Sequence, residues 1–214
     1  MPADWFRKTT WTAADREDFE AHLKRSRGVH NKSQYLRIQA FYLQKASPPL
    51  YQEALSLLER VLTEWRNDIQ IASALLQKAE CLLETKGFEA AIPIFRQGLE
   101  FEKQCPKCRT EAWLCFPWQI VRHRRTDLFD EALRWLTFPQ SNAIMFPVDQ
   151  FRTSSIRAII KMQQGDIASA KSHAADALTA AGIDFSGFRY HPKIGLVGNM
   201  EPWVKAELER ILTA

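Results

Sequence analysis

The sequence predicts an all-α fold, an α-solenoid of about four helical hairpins with a capping helix at each end. Three observations carry this. In 214 residues there are only 8 Gly and 10 Pro, too few for a low-complexity chain. Apolar and small residues recur at steps of three and four through most of the sequence, the period of a helix with one buried face. Small residues also return at matching points of successive helical pairs, Ala54, Ala91, Ala132 and Ala170, at intervals of 37, 41 and 38 residues. A chain of 24.7 kDa buries roughly 70% of its unfolded surface, so a core forms without metal or disulfide.

The clearest pair is the stretch from Gln77 to Leu99. Gly87 marks a tight turn, and Phe88, Ala91, Ile92, Phe95, Gly98 and Leu99 lie on one face of the helix after it. Leu75, Ala79 and Leu82 of the helix before it supply the facing surface, where small Ala79 permits close approach. The other elements follow from the same template. Trp5, Phe6 and Trp11 form an aromatic lead-in that covers the open end of a helical stack. Thr12 and Asp15 fit a capping box for a helix that ends at Gly28. A second helix runs from about Lys32 to Lys45 and is broken by Ser47-Pro48-Pro49, since proline lacks the N–H that a helix needs. Pairs are then expected over Gln34–Trp65, Ile69–Glu102, Arg109–Phe138 and Gln150–Ala181. Pro93 and Pro117 fall within helices of the second and third pairs, where a kink is expected. From Ile183 to Asn199 no period is visible, and Phe185, Phe188, Tyr190, Ile194, Leu196 and Val197 read as a lid packed over the last pair. A final helix starts near Glu201, with Pro202 in its first turn. The organisation is a lead-in and cap over 1–31, repeats over 32–181, and a loop with a closing helix over 182–214.

This arrangement of hairpins, with small and aromatic residues repeated in the second helices, resembles the tetratricopeptide repeat. The family period is 34, shorter than the intervals here, and the family's Trp, Leu-Gly and Tyr of the first helices are largely absent. The resemblance implies a right-handed solenoid whose first helices line a concave groove for peptide or protein ligands. Projected onto this chain, it assigns the groove to Ser73, Leu76, Glu80 and Leu83 of the second pair, Val121, Arg124 and Arg125 of the third, and Arg152, Ser155, Ile159 and Met162 of the fourth. Such a groove is apolar with a basic centre and suits an acidic peptide, because arginine takes carboxylates in bidentate fashion. No Asn falls at these positions, so a clamp for a C-terminal carboxylate is not expected. A scaffold or adaptor is the functional expectation.

The charge balance, 29 basic against 25 acidic residues, is too even to indicate nucleic acid by itself. Two local runs give an alternative. Basic residues dominate 24–45 and 103–125, and Trp113 and Trp118 could stack on bases, so a nucleic-acid-binding repeat protein is the second reading.

Chemistry-bearing motifs are few. Cys105-Pro-Lys-Cys108 has the spacing of a zinc half-site, but Cys115 and His123 lie eight residues apart on a predicted helix, roughly 12 Å along its axis, and cannot both complete one tetrahedron. No metal or other cofactor is expected, and the four cysteines read as free thiols. There is no nucleophile elbow, zinc-protease helix or dinucleotide loop, and the five histidines are scattered, so no enzyme is predicted. The first residues lack a signal-peptide core and no apolar run reaches the ~18 residues of a membrane span. A cytoplasmic location, with no membrane partner, is the expectation.

Overall fold

The computed structural model describes residues 4–138 and 146–214. Among these residues there are ten α-helices and no strand. The helices are α1 (Ala13–Arg25), α2 (Val29–Gln44), α3 (Tyr51–Thr63), α4 (Asp68–Lys86), α5 (Phe88–Gln104), α6 (Ala112–Arg122), α7 (Phe129–Thr137), α8 (Pro147–Gln163), α9 (Ile167–Ala181) and α10 (Pro202–Thr213). None is long and apolar enough to cross a membrane. The chain divides into two compact units, the first ending at Ala112 and the second beginning at Trp113.

In the first unit α2 pairs with α3 and α4 with α5, while α4 also packs on both α3 and α2. The predicted small residues explain the closeness of these pairs: Ala54 on α3 and Ala91 on α5 are fully buried. Gly87 turns α4 into α5 with φ of +82°, a left-handed conformation that costs any other residue energy. Helix α5 continues through Pro93, whose ring is exposed. The aromatic lead-in packs on α1 and α2: Trp5 lies 5.3 Å from Phe19 and 4.8 Å from Tyr35, ring centre to ring centre. Gln39, fully buried on α2, fixes this segment by a reciprocal pair of bonds. Its Oε1 accepts the Lys8 N–H at 3.0 Å and its Nε2 donates to the Lys8 carbonyl at 2.7 Å.

The capping box forms at the start of α1. The Asp15 N–H donates to the Thr12 hydroxyl at 3.2 Å, and the Thr12 N–H donates back to the Asp15 carboxylate at 2.9 Å. These bonds, with those from the Thr10 hydroxyl and the Lys8 ammonium, hold the Asp15 carboxyl well below the usual carboxylate range. A depressed carboxylate stabilises the fold above its ordinary pKa, and that stabilisation is lost as pH falls through the folded value. Asp15→Asn should therefore cost about 1 kcal/mol at neutral pH. The difference from wild type should shrink as the pH of a urea titration falls below 3.8, the ordinary value of the group.

Several predicted boundaries move. Helix α1 ends at Arg25, and Gly28 is the N-cap of α2 instead of the end of α1, so α2 starts three residues before Lys32. The third pair differs more. Helix α6 runs through Pro117 but stops at Arg122, leaving His123, Arg124 and Arg125 outside it, and a short 3-10 turn at Thr126–Leu128 leads into α7. Cys105 and Cys108 are joined by a disulfide, not free thiols as expected; Cys81 and Cys115 remain thiols. The three-residue spacing and the 3-10 turn at Pro106–Cys108 bring the two sulfurs together, a geometry that spacing alone does not distinguish from a metal half-site. Burial pushes the Cys81 thiol up to about 12, so it is an inert core group.

Glu102, near the end of α5, is almost fully buried. It accepts the Thr110 N–H at 3.2 Å and the Thr110 hydroxyl at 2.5 Å, but burial dominates and raises its pKa above the ordinary 4.5. A carboxyl raised on folding destabilises progressively as pH rises from its unfolded value through its folded one. Glu102→Gln keeps an acceptor for Thr110 without the charge. Thermal melts should show the variant above wild type at neutral pH, with the gap closing as pH approaches 4.5.

In the second unit α8 pairs with α9, and α10 packs on both. Ala132 on α7 and Ala170 on α9, the remaining members of the small-residue series, are fully buried. Glu201 anchors the start of α10: its carboxylate accepts from the indole N–H of Trp118 at 3.3 Å and of Trp203 at 2.9 Å, with Arg122 at 3.5 Å. The stretch after α9 is not a lid. Phe185, Phe188, Tyr190 and Ile194 are exposed, and the segment turns back on itself through bonds from the Ser186 N–H and hydroxyl to the Pro192 and His191 carbonyls. Leu196 and Val197 are half-buried.

Candidate functional site

Helix α2 and helix α4 are the first helices of consecutive hairpins, and their seam is polar. Two bonds define it. The Arg37 Nε donates to the Gln70 Oε1 at 2.6 Å, and seven residues further along α2 the Gln44 Nε2 donates to the Glu80 carboxylate at 3.1 Å. Because both chains advance from the first bond to the second, the two helices run in the same direction. Between these bonds lie Phe41 on α2 and Ser73, Leu76 and Gln77 on α4. The Gln44 Oε1 and Gln77 Oε1 are buried without a hydrogen-bond partner, so the seam holds acceptors that its own side chains do not satisfy.

Arg37 is the distinctive group. It is largely enclosed, and burial alone draws its pKa below the ordinary value. Among the described residues no carboxylate forms an ion pair with it. Three other half-buried basic side chains of this unit are neutralised within the fold. Arg60 binds Glu20 and Glu64, Lys8 binds Asp15 and Asp18, and Lys78 binds Glu59. An enclosed cation without an anion is costly to the fold, and an anion arriving from outside relieves that cost. Beside it Phe41 is 41% exposed, with the Lys45 ammonium 5.8 Å from its ring centre. The surface thus combines an enclosed guanidinium, an open aromatic ring and an exposed ammonium.

The projected groove residues of α4 share this face. Leu76, Glu80 and Leu83 are half-buried, as is Ser73, and their steps of three and four align them along one side. No family model matches the chain, and no curated protein or solved structure is significantly similar to it. The seam is therefore read from its own geometry.

The other projected residues belong to the second unit. Val121, Ser155 and Ile159 are buried there, and the Ser155 hydroxyl donates to the Phe151 carbonyl at 2.7 Å, so none of the three offers a side chain to a partner. Arg124 is exposed at a positive φ of 52° beyond the end of α6, and Arg125 donates to Asp127 at 2.7 and 2.8 Å. The guanidinium of Arg152 lies 5.5 Å from the centre of the Trp118 ring, and Met162 is half-buried. Stacking on nucleic-acid bases is closed to Trp118, which is buried with its indole N–H on Glu201. With their sulfurs joined, Cys105 and Cys108 cannot serve as thiolate ligands. No group of three or more potential metal ligands occurs among the described residues.

Two clefts lie away from the seam. One of about 380 Å³ in the first unit runs between Trp11, Arg16 and Glu20 and the Gln52, Glu53 and Arg60 side of α3, where Arg60 is already neutralised. Another of about 400 Å³ in the second unit is bordered by Phe146, Pro147, Ala180 and Ile183.

The sequence pointed to α4 but not to Arg37. Its signal was available in part: Arg37 lies in a run from Ala21 to Lys45 that contains basic residues and no acidic one, so no carboxylate on its own helix can pair with it.

Proposed function

We propose that this chain is a protein-binding module, an adaptor or scaffold, whose α2–α4 seam takes an acidic and partly apolar segment of another protein. The observation that carries the reading is Arg37, an enclosed guanidinium with no ion-pair partner among the described residues, set beside exposed Phe41. A carboxylate of the partner occupies Arg37 while an apolar side chain rests on Phe41 and Leu76. Lys45 adds a second, weaker charge contact at the rim. In this reading the hairpins form a tetratricopeptide-like right-handed solenoid, and the first helices line its concave face.

The test is affinity purification of the tagged chain from its native cells, with and without nuclease, comparing wild type, Arg37→Glu and an Arg124→Glu/Arg125→Glu control. The reading requires a stoichiometric protein that survives nuclease, is lost with Arg37→Glu and is retained by the control. A partner indifferent to Arg37 would move the site elsewhere. Nuclease-sensitive nucleic acid alone would replace the reading with the one based on the basic runs.

A further inference from the structure

Five of the nine exposed large apolar side chains among the described residues lie within one short segment of the second unit: Ile183, Phe185, Phe188, Tyr190 and Ile194. Such concentration is unlike the scattered apolar exposure of an ordinary surface. The segment is nonetheless built. The Ser186 N–H donates to the Pro192 carbonyl at 2.9 Å, the Ser186 hydroxyl donates to the His191 carbonyl at 2.7 Å, and the His191 N–H donates to the Phe188 carbonyl at 3.1 Å. These bonds close the chain into a tight loop. Its base is fixed to α8, where the Val148 N–H donates to the Gly195 carbonyl at 2.9 Å and the Phe146 ring lies 5.7 Å from that of Phe188. Gly195 sits directly against the Phe146 ring at φ of +66°, a place where any Cβ would collide. The loop is held up by the fold with Tyr190, 80% exposed, near its apex.

Its charge is mainly basic, with exposed Asp184 at its start the one acidic residue. Between Asp184 and Glu201 there is no acidic residue, while Arg189 and Lys193 are basic and alternate with the aromatic and aliphatic positions. The Arg189 guanidinium lies 5.5 Å from the Tyr190 ring centre, so charge and ring stand together at the tip.

We propose that this loop docks on an anionic membrane surface, with Phe185, Phe188 and Tyr190 at the boundary between headgroups and acyl chains and Arg189 and Lys193 on lipid phosphates and carboxylates. A surface contact of this kind needs no membrane-spanning helix. A bilayer suits the geometry because apolar and basic side chains spread around a projecting loop can all be accommodated at a boundary with no fixed shape. Aromatic side chains favour that boundary, and each cation near it gains from the negative surface potential. The inference is independent of the α2–α4 seam, which lies in the other unit.

The full chain should co-sediment with vesicles of phosphatidylcholine and phosphatidylserine, fail to sediment with phosphatidylcholine alone, and be released by added salt. Arg189→Gln/Lys193→Gln should lower the partition coefficient roughly 30-fold. Phe185→Ser/Tyr190→Ser should abolish sedimentation with an unchanged melting temperature, because both side chains are exposed. Absence of wild-type binding to phosphatidylserine vesicles would overturn the proposal and leave the patch to a protein contact. Equal binding to neutral vesicles, or variants that sediment like wild type, would overturn it as well.

Discussion

Leu75→Ala is expected to lower the unfolding free energy of the first unit by about 3 kcal/mol, because it removes a buried side chain from a site that cannot fully close. Leu75 is almost completely buried on α4, and a methyl group built at Gly98 of α5 would lie 3.5 Å from its Cβ. That distance is ordinary van der Waals contact, so Gly98→Ala should be accommodated. It should stabilise the unit by about 0.5–1 kcal/mol, since glycine inside a helix is entropically unfavourable. The double variant has a distinct signature. The new methyl at position 98 faces the space left by Leu75, so the two changes should combine to less than the sum of their separate effects predicts. Urea titrations of the four proteins measure this coupling. Strict additivity would mean that α4 and α5 do not pack through these two positions.

Arg37→Gln should lower affinity for an acidic peptide about 100-fold while leaving the melting temperature unchanged or higher. The affinity loss follows from removing one partner of an enclosed charge pair, worth roughly 2–5 kcal/mol. The stability outcome separates a binding residue from a structural one. Wild-type Arg37 is a cation that the fold encloses without an anion, and glutamine removes that charge while keeping a donor for Gln70. Lys45→Gln, at the exposed rim, should cost only about threefold. Calorimetric titration with a peptide selected from a random display library measures both values, and the selected peptides themselves should be enriched in Asp and Glu.

Much of the fold was legible because helical periodicity reports which face of a segment is buried. Ala54, Ala91, Ala132 and Ala170 could be matched from spacing alone, and each is fully buried. Thr12 with Asp15, Gly87 and Pro202 are local signals whose meaning depends only on neighbours within a turn. The site was less legible for the same reason. Periodicity places Leu76, Glu80 and Leu83 on one side of α4, but which residues of α2 stand opposite depends on how the two helices align. Arg37 meets Gln70, and Gln44 meets Glu80, across 33 and 36 residues of sequence. The reciprocal bonds of Gln39 to Lys8 span 31 residues and carry no local pattern. The third pair misled because its apolar residues continue the helical period as far as Val121, while the backbone leaves the helix at Arg122 and reaches a positive φ at Arg124. The segment after α9 misled in the opposite sense: its apolar composition implied burial, yet its side chains project from a loop closed by Ser186.

The most direct test of the central claim is hydroxyl-radical footprinting of the full chain with and without the selected acidic peptide. If the α2–α4 seam is the binding surface, modification of Phe41, Leu76 and Leu83 falls on binding while Phe185 and Tyr190 remain as reactive as before. Unchanged Phe41 reactivity in a saturated complex, with protection at any other face, would contradict the assignment.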